Sequence, residues 1–420
     1  MKHSIDQETV GPFAEPMASA IEACVHCGFC LPACPTYNVL GQEADSPRGR
    51  IVLMKQVLEG ELDEQDIAPH IDRCLGCLAC ESACPSGVPY RDLISPFRSR
   101  NSVKKSFLVR LRDKLISLTL PFPGRFRWAL RLASCSRFLA FLLPGPFRPM
   151  AELVPKKIPS YQPLKDRYPA KGEKRCKVAL LAGCAQQVLA PKINQFTIEL
   201  LTEYGVEVVV PGNQSCCGAL DWHNGGLKQA RKLAENNLSV FPADVDWIVT
   251  NAAGCGSGMK EYGVLFEGTD HQSEAKKIAD KTIDVSVLLS QLDFSKRAVG
   301  RPQPKTLRVA YHDACHLSHG QHVRSQPRAL LQSIPGIELL GINNTEMCCG
   351  SAGTFNIDQP EIANQLGQSK AQAIADSGAE FLVTGNIGCI VQIQNHLQKL
   401  GSPIKVMHLV EFLSRHSSLA

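Results

Sequence analysis

The sequence predicts a multidomain protein in which an α-helical, cysteine-rich domain is followed by two copies of an α/β module with a parallel sheet. Two observations predict this architecture. The first is a run of four cysteines that occurs twice before residue 86. The second is an alternation of apolar strands and helices that begins near residue 177 and starts again near residue 307. Because such strands are joined by right-handed crossovers, each copy is expected to form a parallel sheet.

Each cysteine run has the pattern Cys-x-x-Cys-x-x-Cys-x-x-x-Cys-Pro. The two runs contain Cys24, Cys27, Cys30 and Cys34, and Cys74, Cys77, Cys80 and Cys84. Three thiolates at steps of three allow a short loop to wrap one cubane cluster, whereas the fourth cysteine of such a run ligates the other cluster in two-cluster ferredoxins. We therefore predict a ferredoxin-like domain with two [4Fe-4S] clusters. The predicted ligand sets are Cys24, Cys27, Cys30 and Cys84 for one cluster, and Cys74, Cys77, Cys80 and Cys34 for the other.

Structural zinc and disulfide bonds are the alternative roles for these cysteines. Zinc sites typically use two Cys-x-x-Cys pairs in a tetrahedral arrangement, not a run of three cysteines plus one. Disulfides are unfavourable because cysteines in a reducing compartment stay reduced. The start of the chain has no apolar segment typical of a signal peptide, and no uninterrupted apolar run of membrane-spanning length occurs. These features predict a cytoplasmic protein whose thiols hold metal.

The composition along the chain suggests five segments. We predict a loose tail at 1–16, the two-cluster domain at 17–97, a basic amphipathic linker at 98–175, and two α/β modules at 176–300 and 301–420.

A helix is predicted between the two cysteine runs. Ser46 suits the N-cap and Pro47 suits the first helical position, and the apolar face that follows ends at Gly60. We expect this helix to brace the two loops and to bring Cys34 and Cys84 to each other's clusters.

The linker carries most of the positive charge of the chain. Residues 98–150 contain 12 Lys and Arg against one acidic residue, a charge of +11, whereas the rest of the chain carries −6. Apolar residues form one stripe on a predicted helix; they are Phe107, Leu108, Leu111, Leu115 and Leu118. Such a stripe either lies on anionic lipid or packs against protein, which is this chain itself or a partner subunit. We favour packing because most amphipathic helices face a core. No nucleic-acid-binding motif accompanies the charge.

The two modules carry matching cysteines. The first contains Cys184, Cys216, Cys217 and Cys255, and the second contains Cys315, Cys348, Cys349 and Cys389. The spacers are 31 and 32 residues before the double cysteine, and 37 and 39 residues after it, which indicates a duplicated unit. Each of these cysteines follows a predicted strand, where α/β sheets place their binding crevices. We predict a further cluster or redox site from them, with inert, buried cysteines as the alternative.

Three histidines flank one of the module cysteines. His312, His316 and His319 lie close to Cys315 in the sequence. A histidine ligand is one interpretation and a structural histidine is the other, which we favour.

These residues together resemble a known family. Cys34-Pro-Thr-Tyr37, Pro47-Arg-Gly-Arg-Ile51, Cys84-Pro-Ser-Gly-Val88 and Cys348-Cys-Gly-Ser-Ala-Gly-Thr354 resemble segments of the iron–sulfur subunits of glycolate oxidase. Those subunits are part of the broader group of Cys-Cys-Gly proteins of the heterodisulfide reductase type. In heterodisulfide reductases each module ends in Cys-x-x-Cys and gives five cysteines to a non-cubane cluster. Here Gly258 and Gln392 take the last position, which puts that type of cluster in doubt.

The resemblance implies an electron-relay subunit of a glycolate dehydrogenase. It implies that FAD lies on a partner subunit that oxidises glycolate to glyoxylate, and that electrons pass to a quinone or another membrane acceptor. The composition and the basic linker predict a cytoplasmic location with peripheral contact at the inner face of the cell membrane. The alternatives are an equivalent subunit of a D-lactate or glycerol-3-phosphate dehydrogenase, a thiol–disulfide reductase, and an inert scaffold. No catalytic residue is predicted, because the chain shows neither a dinucleotide fingerprint nor a nucleophile–base pair.

Overall fold

The computed structural model describes residues 1–100, 104–135, 143–155, 157–300 and 305–419. The first part of the chain is helical. Its helices are α1 (Gln7–Val10), α2 (Ala14–Glu22), α3 (Pro35–Leu40), α4 (Pro47–Leu58), α5 (Glu64–Asp72), α6 (Ala79–Ser82) and α7 (Arg91–Ser99), with a 3₁₀ turn at Glu43–Asp45.

Helix α4 begins and ends where the sequence predicts. The Ser46 hydroxyl accepts a hydrogen bond from the Gly49 amide at 3.0 Å, Pro47 occupies the first helical position, and Gly60 follows with a φ of +77°. A Cβ atom at Gly49 would lie 2.0 Å from the carbonyl oxygen of Glu43. Glycine is therefore required there, because the helix start packs directly on the backbone of the preceding turn.

The N-terminal residues are packed, so the predicted loose tail at 1–16 is wrong. The amino group of Met1 donates to the carbonyl oxygens of Ile21 and Cys24 at 3.0 Å. Phe13 is buried, and its ring lies 5.8 Å from that of Trp222 in the first α/β module. Sequence patterning missed this because the segment is short and its partners lie far along the chain.

The linker contains three helices, α8 (Phe107–Thr119), α9 (Pro123–Cys135) and α10 (Arg148–Leu153), with a 3₁₀ turn at Gly145–Phe147. The apolar stripe of α8 faces solvent, so it does not pack against this chain, whereas packing against a partner subunit stays a prediction. Instead Arg112 and Ile116 are buried. Arg112 forms ion pairs with Asp113 and with Asp358 of the second module, which turns the apolar side outward. Residues 136–142, part of the predicted linker, lie outside the described residues.

The first module is a five-stranded sheet with the order β1-β3-β2-β4-β5. All neighbouring strands are parallel except β1, which runs antiparallel to β3. Its elements are β1 (Arg167–Tyr168), β2 (Cys176–Leu180), α11 (Ala185–Leu189), α12 (Lys192–Glu203), β3 (Val206–Val209), α13 (Ala219–His223), α14 (Leu227–Val240), β4 (Trp247–Thr250), α15 (Ala253–Lys260), α16 (Tyr262–Leu265), α17 (Gln272–Lys281), β5 (Thr282–Asp284), α18 (Val285–Gln291), α19 (Phe294–Arg297) and β6 (Ala298–Gly300).

The second module is a four-stranded parallel sheet with the order β10-β9-β7-β8. Its elements are β7 (Leu307–Tyr311), α20 (Cys315–Ser318), α21 (Ser325–Gln332), β8 (Ile337–Leu340), α22 (Phe355–Asp358), α23 (Pro360–Asp376), β9 (Phe381–Thr384), α24 (Ile387–Lys399), β10 (Lys405–His408), α25 (Leu409–His416) and β11 (Ser417–Leu419). Strand β11 pairs with β6 of the first module, so the end of the chain ties the two modules together.

The predicted fold class is confirmed: a helical domain precedes two parallel-sheet α/β modules. The modules share one apolar core, in which Val178 of β2, Val309 of β7 and Phe412 of α25 are fully buried. Five strands were not predicted from the sequence, and they are edge strands or lie in the two-stranded sheet: β1, β5, β6, β10 and β11. Among the residues that the structure describes, no helix combines the length and apolarity needed to cross a bilayer.

Candidate iron–sulfur and cysteine-rich sites

Two adjacent cavities in the helical domain are lined by cysteines. The first cavity is lined by Cys24, Cys27, Cys30 and Cys84, and the second by Cys34, Cys74, Cys77 and Cys80. Each cavity thus combines three cysteines of one run with the fourth cysteine of the other run. Cys80 and Tyr90 line both cavities, so the two sites are direct neighbours.

The loops around the cavities fit iron–sulfur clusters. Gly28 and Gly76 have φ values of +85° and +64°, and His26 and Leu78 adopt the same left-handed region at +58° and +62°. The Gly76 amide donates to Cys74 Sγ at 3.4 Å. Thiol donors arranged around a cavity, with a backbone amide directed at one sulfur, are the chemistry that such clusters require. The residues of both cavities therefore fit a [4Fe-4S] group.

A buried guanidinium distinguishes the second cavity. Arg50 is 1% exposed; its Nη1 donates to Cys34 Sγ at 3.8 Å, and its Nη2 to Thr36 Oγ1 at 3.0 Å. Asp45, which is fully buried, accepts from Arg50 at 3.4 Å and from Arg73 at 3.2 Å. In the sequence Arg50 is only part of the segment Pro47-Arg-Gly-Arg-Ile51, and its burial could not be predicted because it depends on the packing of α4 against the cysteine loop.

The charge of Arg50 acts on the thiols of its cavity. Burial by itself would raise the pKa of Cys74, but the guanidinium groups of Arg50 and Arg98 lower it below its usual value, and the Tyr90 hydroxyl contributes through a hydrogen bond at 3.8 Å. Burial raises the pKa of Cys77 well above its ordinary value. Within the second cavity, the surroundings therefore favour the thiolate form more at Cys74 than at Cys77.

The two cavities differ in exposure. Cys27 is exposed, and the neighbouring apolar side chains of Val25 and Phe29 are 66% and 67% exposed. In contrast, Cys74 and Cys77 are buried. The first cavity thus opens at the surface of the protein, whereas the second lies inside.

The second cavity adjoins both α/β modules. His316 Nε2 lies 2.9 Å from the carbonyl oxygen of Gly76, and Arg98 Nη1 donates to the carbonyl oxygen of His223 at 3.0 Å. Cys77 shares an apolar cluster with Cys348 of the second module. These contacts place the second cavity next to the cysteines of the second module.

The module cysteines gather at the carboxyl ends of the strands. In the first module Cys216 Sγ donates to Cys184 Sγ at 3.3 Å, and Cys217 contacts both Cys216 and Cys255. A fifth cysteine could not occupy the position of Gly258, because a Cβ atom there would lie 2.3 Å from that of Ala219. The first module therefore offers four sulfur atoms at the carboxyl ends of its strands.

The second module repeats this chain of sulfur contacts. Cys348 contacts Cys315 and Cys349, and Cys349 also contacts Cys389. Asn386 Nδ2 donates to Cys389 Sγ at 3.4 Å. The fifth position is again unavailable, because Gln392 donates from its amide to the carbonyl oxygen of Ala363 at 3.3 Å.

The three histidines near Cys315 have different surroundings. His316 lies against Gly76 as described, and His319 Nδ1 lies 2.9 Å from Ser82 Oγ, so both join the module to the helical domain. His312 is 1% exposed, and neither of its ring nitrogens has a hydrogen-bond partner among the described residues. The structural interpretation thus agrees with the contacts of His316 and His319, whereas the part of the chain that the structure describes offers the His312 ring no such partner.

A buried carboxylate lies where the three parts of the chain meet, and the sequence analysis missed it. Glu261 accepts from Trp222 Nε1 at 2.8 Å and lies 3.0 Å from His223 Nε2. Burial opposes its charge, but His223, Arg91 and His316 lower the pKa of Glu261 to about 2. The residue follows the end of α15 without any motif, so no local signal marks it.

Comparison with known proteins agrees with this division of the chain. Residues 20–88 match the model of a 4Fe-4S dicluster domain, and residues 178–260 and 309–394 match that of a cysteine-rich domain. The chain is therefore an iron–sulfur protein, and the predicted [4Fe-4S] cofactors are confirmed at the level of the domain.

Full-length relatives cover almost the whole chain. A probable glycolate oxidase iron-sulfur subunit of Bacillus subtilis is 36% identical, over 93% of this chain and 92% of that protein. The glycolate oxidase iron-sulfur subunit of Escherichia coli is 34% identical, over 94% of both chains. Lactate utilization protein A of Oceanobacillus iheyensis is 31% identical over 57% of this chain and 97% of that protein. The length and identity of the first two matches show that this chain belongs to the family of glycolate oxidase iron–sulfur subunits.

Proposed function

We propose that this chain is the electron-transfer subunit of a complex that oxidises glycolate to glyoxylate. The observation that carries the proposal is the pair of neighbouring cysteine cavities, one open at the surface and one buried against the α/β modules. Such a pair suits the passage of electrons from a docked partner into the protein. The names of the two full-length relatives supply the substrate.

The proposed ligands are the cysteines that line each cavity. Cys24, Cys27, Cys30 and Cys84 would hold one cluster, and Cys34, Cys74, Cys77 and Cys80 the other. When bound, a [4Fe-4S] cluster takes up and gives back single electrons at a potential set by charge, hydrogen bonds and burial. Arg50 and the Gly76 amide would favour the reduced form at the second cavity, because both direct positive charge at its sulfur atoms.

The partner would dock at the mouth of the first cavity. Val25 and Phe29 are exposed apolar side chains beside Cys27, and a contact there would exclude water from the cavity. We propose that the partner carries FAD, which takes a hydride from glycolate, and that the chain passes the electrons on to a quinone or another membrane acceptor.

The linker would bring the protein to the cytoplasmic face of the membrane. Leu111 and Leu115 on α8 are exposed beside Arg110 and Lys114, and Trp128 on α9 is 64% exposed. An apolar stripe flanked by cations suits a surface of anionic lipid. This contact is peripheral and is part of the proposal.

The burial of the two double cysteines argues against a thiol–disulfide reductase that uses them. Cys216, Cys217, Cys348 and Cys349 are at most 4% exposed, so a disulfide substrate would not reach their sulfur atoms. A relay subunit for D-lactate stays a second candidate, because lactate utilization proteins match 57% of the chain.

The experiment that tests the relay is a Cys27→Ser substitution in the chain purified anaerobically with its bound partners. Glycolate should still reduce the partner flavin, while reduction of the physiological acceptor should be abolished. Cys135→Ser, at an exposed cysteine that lines neither cavity, is the matched control and should keep full turnover. Reduction of the physiological acceptor by the Cys27→Ser protein would contradict the relay. In the wild-type protein, an EPR signal of reduced clusters with D-lactate but not with glycolate would identify D-lactate as the substrate instead.

A further inference from the structure

We propose that His312 is a metal ligand in the second module, where its imidazole and the thiolates of Cys349 and Cys389 form a site for a single thiophilic transition-metal ion. One ligand atom from each of the three residues lies within 4.8 Å of the other two, and all three side chains are buried. The site is separate from the two cavities of the helical domain, and the proposal does not depend on the relay function.

The separation of the donor atoms fits one ion. Thiolate sulfur lies about 2.3 Å and imidazole nitrogen about 2.0 Å from zinc, so two such ligands of one ion are at most about 4.6 Å apart. The observed limit of 4.8 Å is close to that value, and small side-chain movements would bring the three atoms into range. Sulfur and imidazole together favour zinc or iron over magnesium or calcium, which prefer oxygen ligands.

Within the described ranges of the chain, the surroundings of His312 offer its ring no hydrogen-bond partner of the kind that a structural histidine has. Its backbone amide donates to Val383 at 2.9 Å, which fixes the residue at the end of β7, yet both ring nitrogens lack a partner among the described residues. A buried polar group without a partner costs about 1–3 kcal/mol. A metal ion would bind one of the ring nitrogens. Without it, the free-energy cost of the unpaired nitrogens makes a histidine unfavourable at this position for packing alone.

The first module lacks this imidazole. The residue three positions before the first cysteine is His312 in the second module but Leu181 in the first, and each directly follows its strand. Leu181 is 2% exposed and contributes to an apolar core. The two modules therefore differ at the one position that would complete the site.

The second module also places a buried cation beside its cysteines. Lys370 is 3% exposed; its Nζ donates to the carbonyl oxygen of Asn344 at 2.5 Å and to that of Thr345 at 3.2 Å. Its charge acts on the thiols of the module, Cys349 first among them. A buried ammonium offsets the negative charge that thiolates carry when they bind metal.

The equivalent position of the first module is neutral. A Cβ atom on the glycine of each Cys-Cys-Gly would approach the carbonyl oxygen of an alanine, Ala230 in the first module and Ala363 in the second. The residue seven positions further on is Asn237 in the first module and Lys370 in the second. Ligand and cation thus occur together in one module and are absent together from the described part of the other.

The test is the metal content of the full-length protein, purified anaerobically and measured by plasma mass spectrometry. We expect about one metal ion, zinc or iron, beyond the iron of the two [4Fe-4S] clusters. His312→Leu, which installs the residue of the first module, should lose that ion but keep the cluster absorbance of the helical domain. His312→Cys should retain it, because a thiolate can replace the imidazole. Leu181→Val, at the matched position of the first module, is the control and should keep the wild-type content.

Each outcome decides the proposal. Loss in His312→Leu with retention in His312→Cys supports ligation by His312. A wild-type protein with no metal beyond the two clusters would overturn it. A His312→Leu variant with unchanged metal content would also overturn the proposal. If Cys389→Ser lost the ion at the same time, the two results would indicate that thiolates alone bind it. If His312→Leu does not fold, retention of the ion in His312→Cys supports the proposal and its loss overturns it.

Discussion

Replacing Arg50 by glutamine tests whether one buried guanidinium sets the reduction potential at the second cavity. Arg50 is 1% exposed and donates to Cys34 Sγ at 3.8 Å. A positive charge favours the reduced state of a cluster, because reduction adds negative charge. Its removal should therefore lower the potential. Asp45 keeps Arg73 and His70 as partners, so the substitution does not leave a buried carboxylate alone.

The size of the effect follows from the distance. Two unit charges 3.8 Å apart interact by about 4 kcal/mol at an effective dielectric constant of about 20. The added electron is shared over the whole cluster, and Asp45, 3.4 Å from the same guanidinium, offsets part of its charge. Taking about a quarter of the full interaction gives about 1 kcal/mol, or about 40 mV for one electron. We expect a decrease of roughly 30–80 mV.

The assay is an anaerobic redox titration of the full-length protein, followed by the EPR signal of the reduced clusters. Arg50→Lys keeps the charge and should recover most of the potential. Arg48→Gln is the control, because Arg48 lines the other cavity, is partly exposed and already pairs with Glu43. If both clusters assemble in Arg50→Gln and each potential stays within about 10 mV of wild type, the electrostatic argument is wrong.

Three further predictions concern the domain junction, the cysteine loop and the linker. The pKa of Glu261, depressed from 4.5 to about 2, corresponds to about 3 kcal/mol of stability, which is fully present above pH 4.5 and lost as the pH falls towards 2. Glu261→Gln should therefore lower the urea midpoint at pH 5.5, which is above the range in which Glu261 gains a proton, and equal midpoints for the variant and the wild type at that pH would refute the stabilisation. Gly49→Ala should cost about 1–3 kcal/mol of stability and lower the temperature midpoint of cluster loss, because its Cβ would lie 2.0 Å from the carbonyl oxygen of Glu43. Gly124→Ala, at a glycine with open space around it, is the control and should leave the midpoint unchanged. Equal midpoints for the two variants would refute the clash at Gly49. Replacing Leu111 and Leu115 together by serine should abolish the salt-sensitive co-sedimentation of the protein with vesicles of anionic lipid. Leu400→Ser, at a leucine of similar exposure, is the control and should keep it. A wild-type protein that does not co-sediment at low salt would exclude the lipid contact.

The sequence by itself determined the fold class and the iron–sulfur chemistry. Thiolate spacing, the Ser46-Pro47 start of α4 and the alternation of strands and helices are local patterns, and each is set by residues close together in the chain. For that reason the sequence predicts the helical domain, the duplication and the position of the cysteines after strands. The assignment of individual ligands stays a prediction, although each predicted set lines one cavity.

The tertiary structure decided which side chains are buried and which charges meet. The linker stripe faces solvent because Arg112 is held by Asp358, 246 residues away, which an amphipathic pattern cannot encode. Arg50, Glu261 and His312 are ordinary residues in the sequence, and they become distinctive only because burial removes water and leaves them to neighbours from other segments. Periodicity specifies which face of an element is apolar, but long-range packing determines which face is covered, and hence where charge and metal-binding chemistry concentrate.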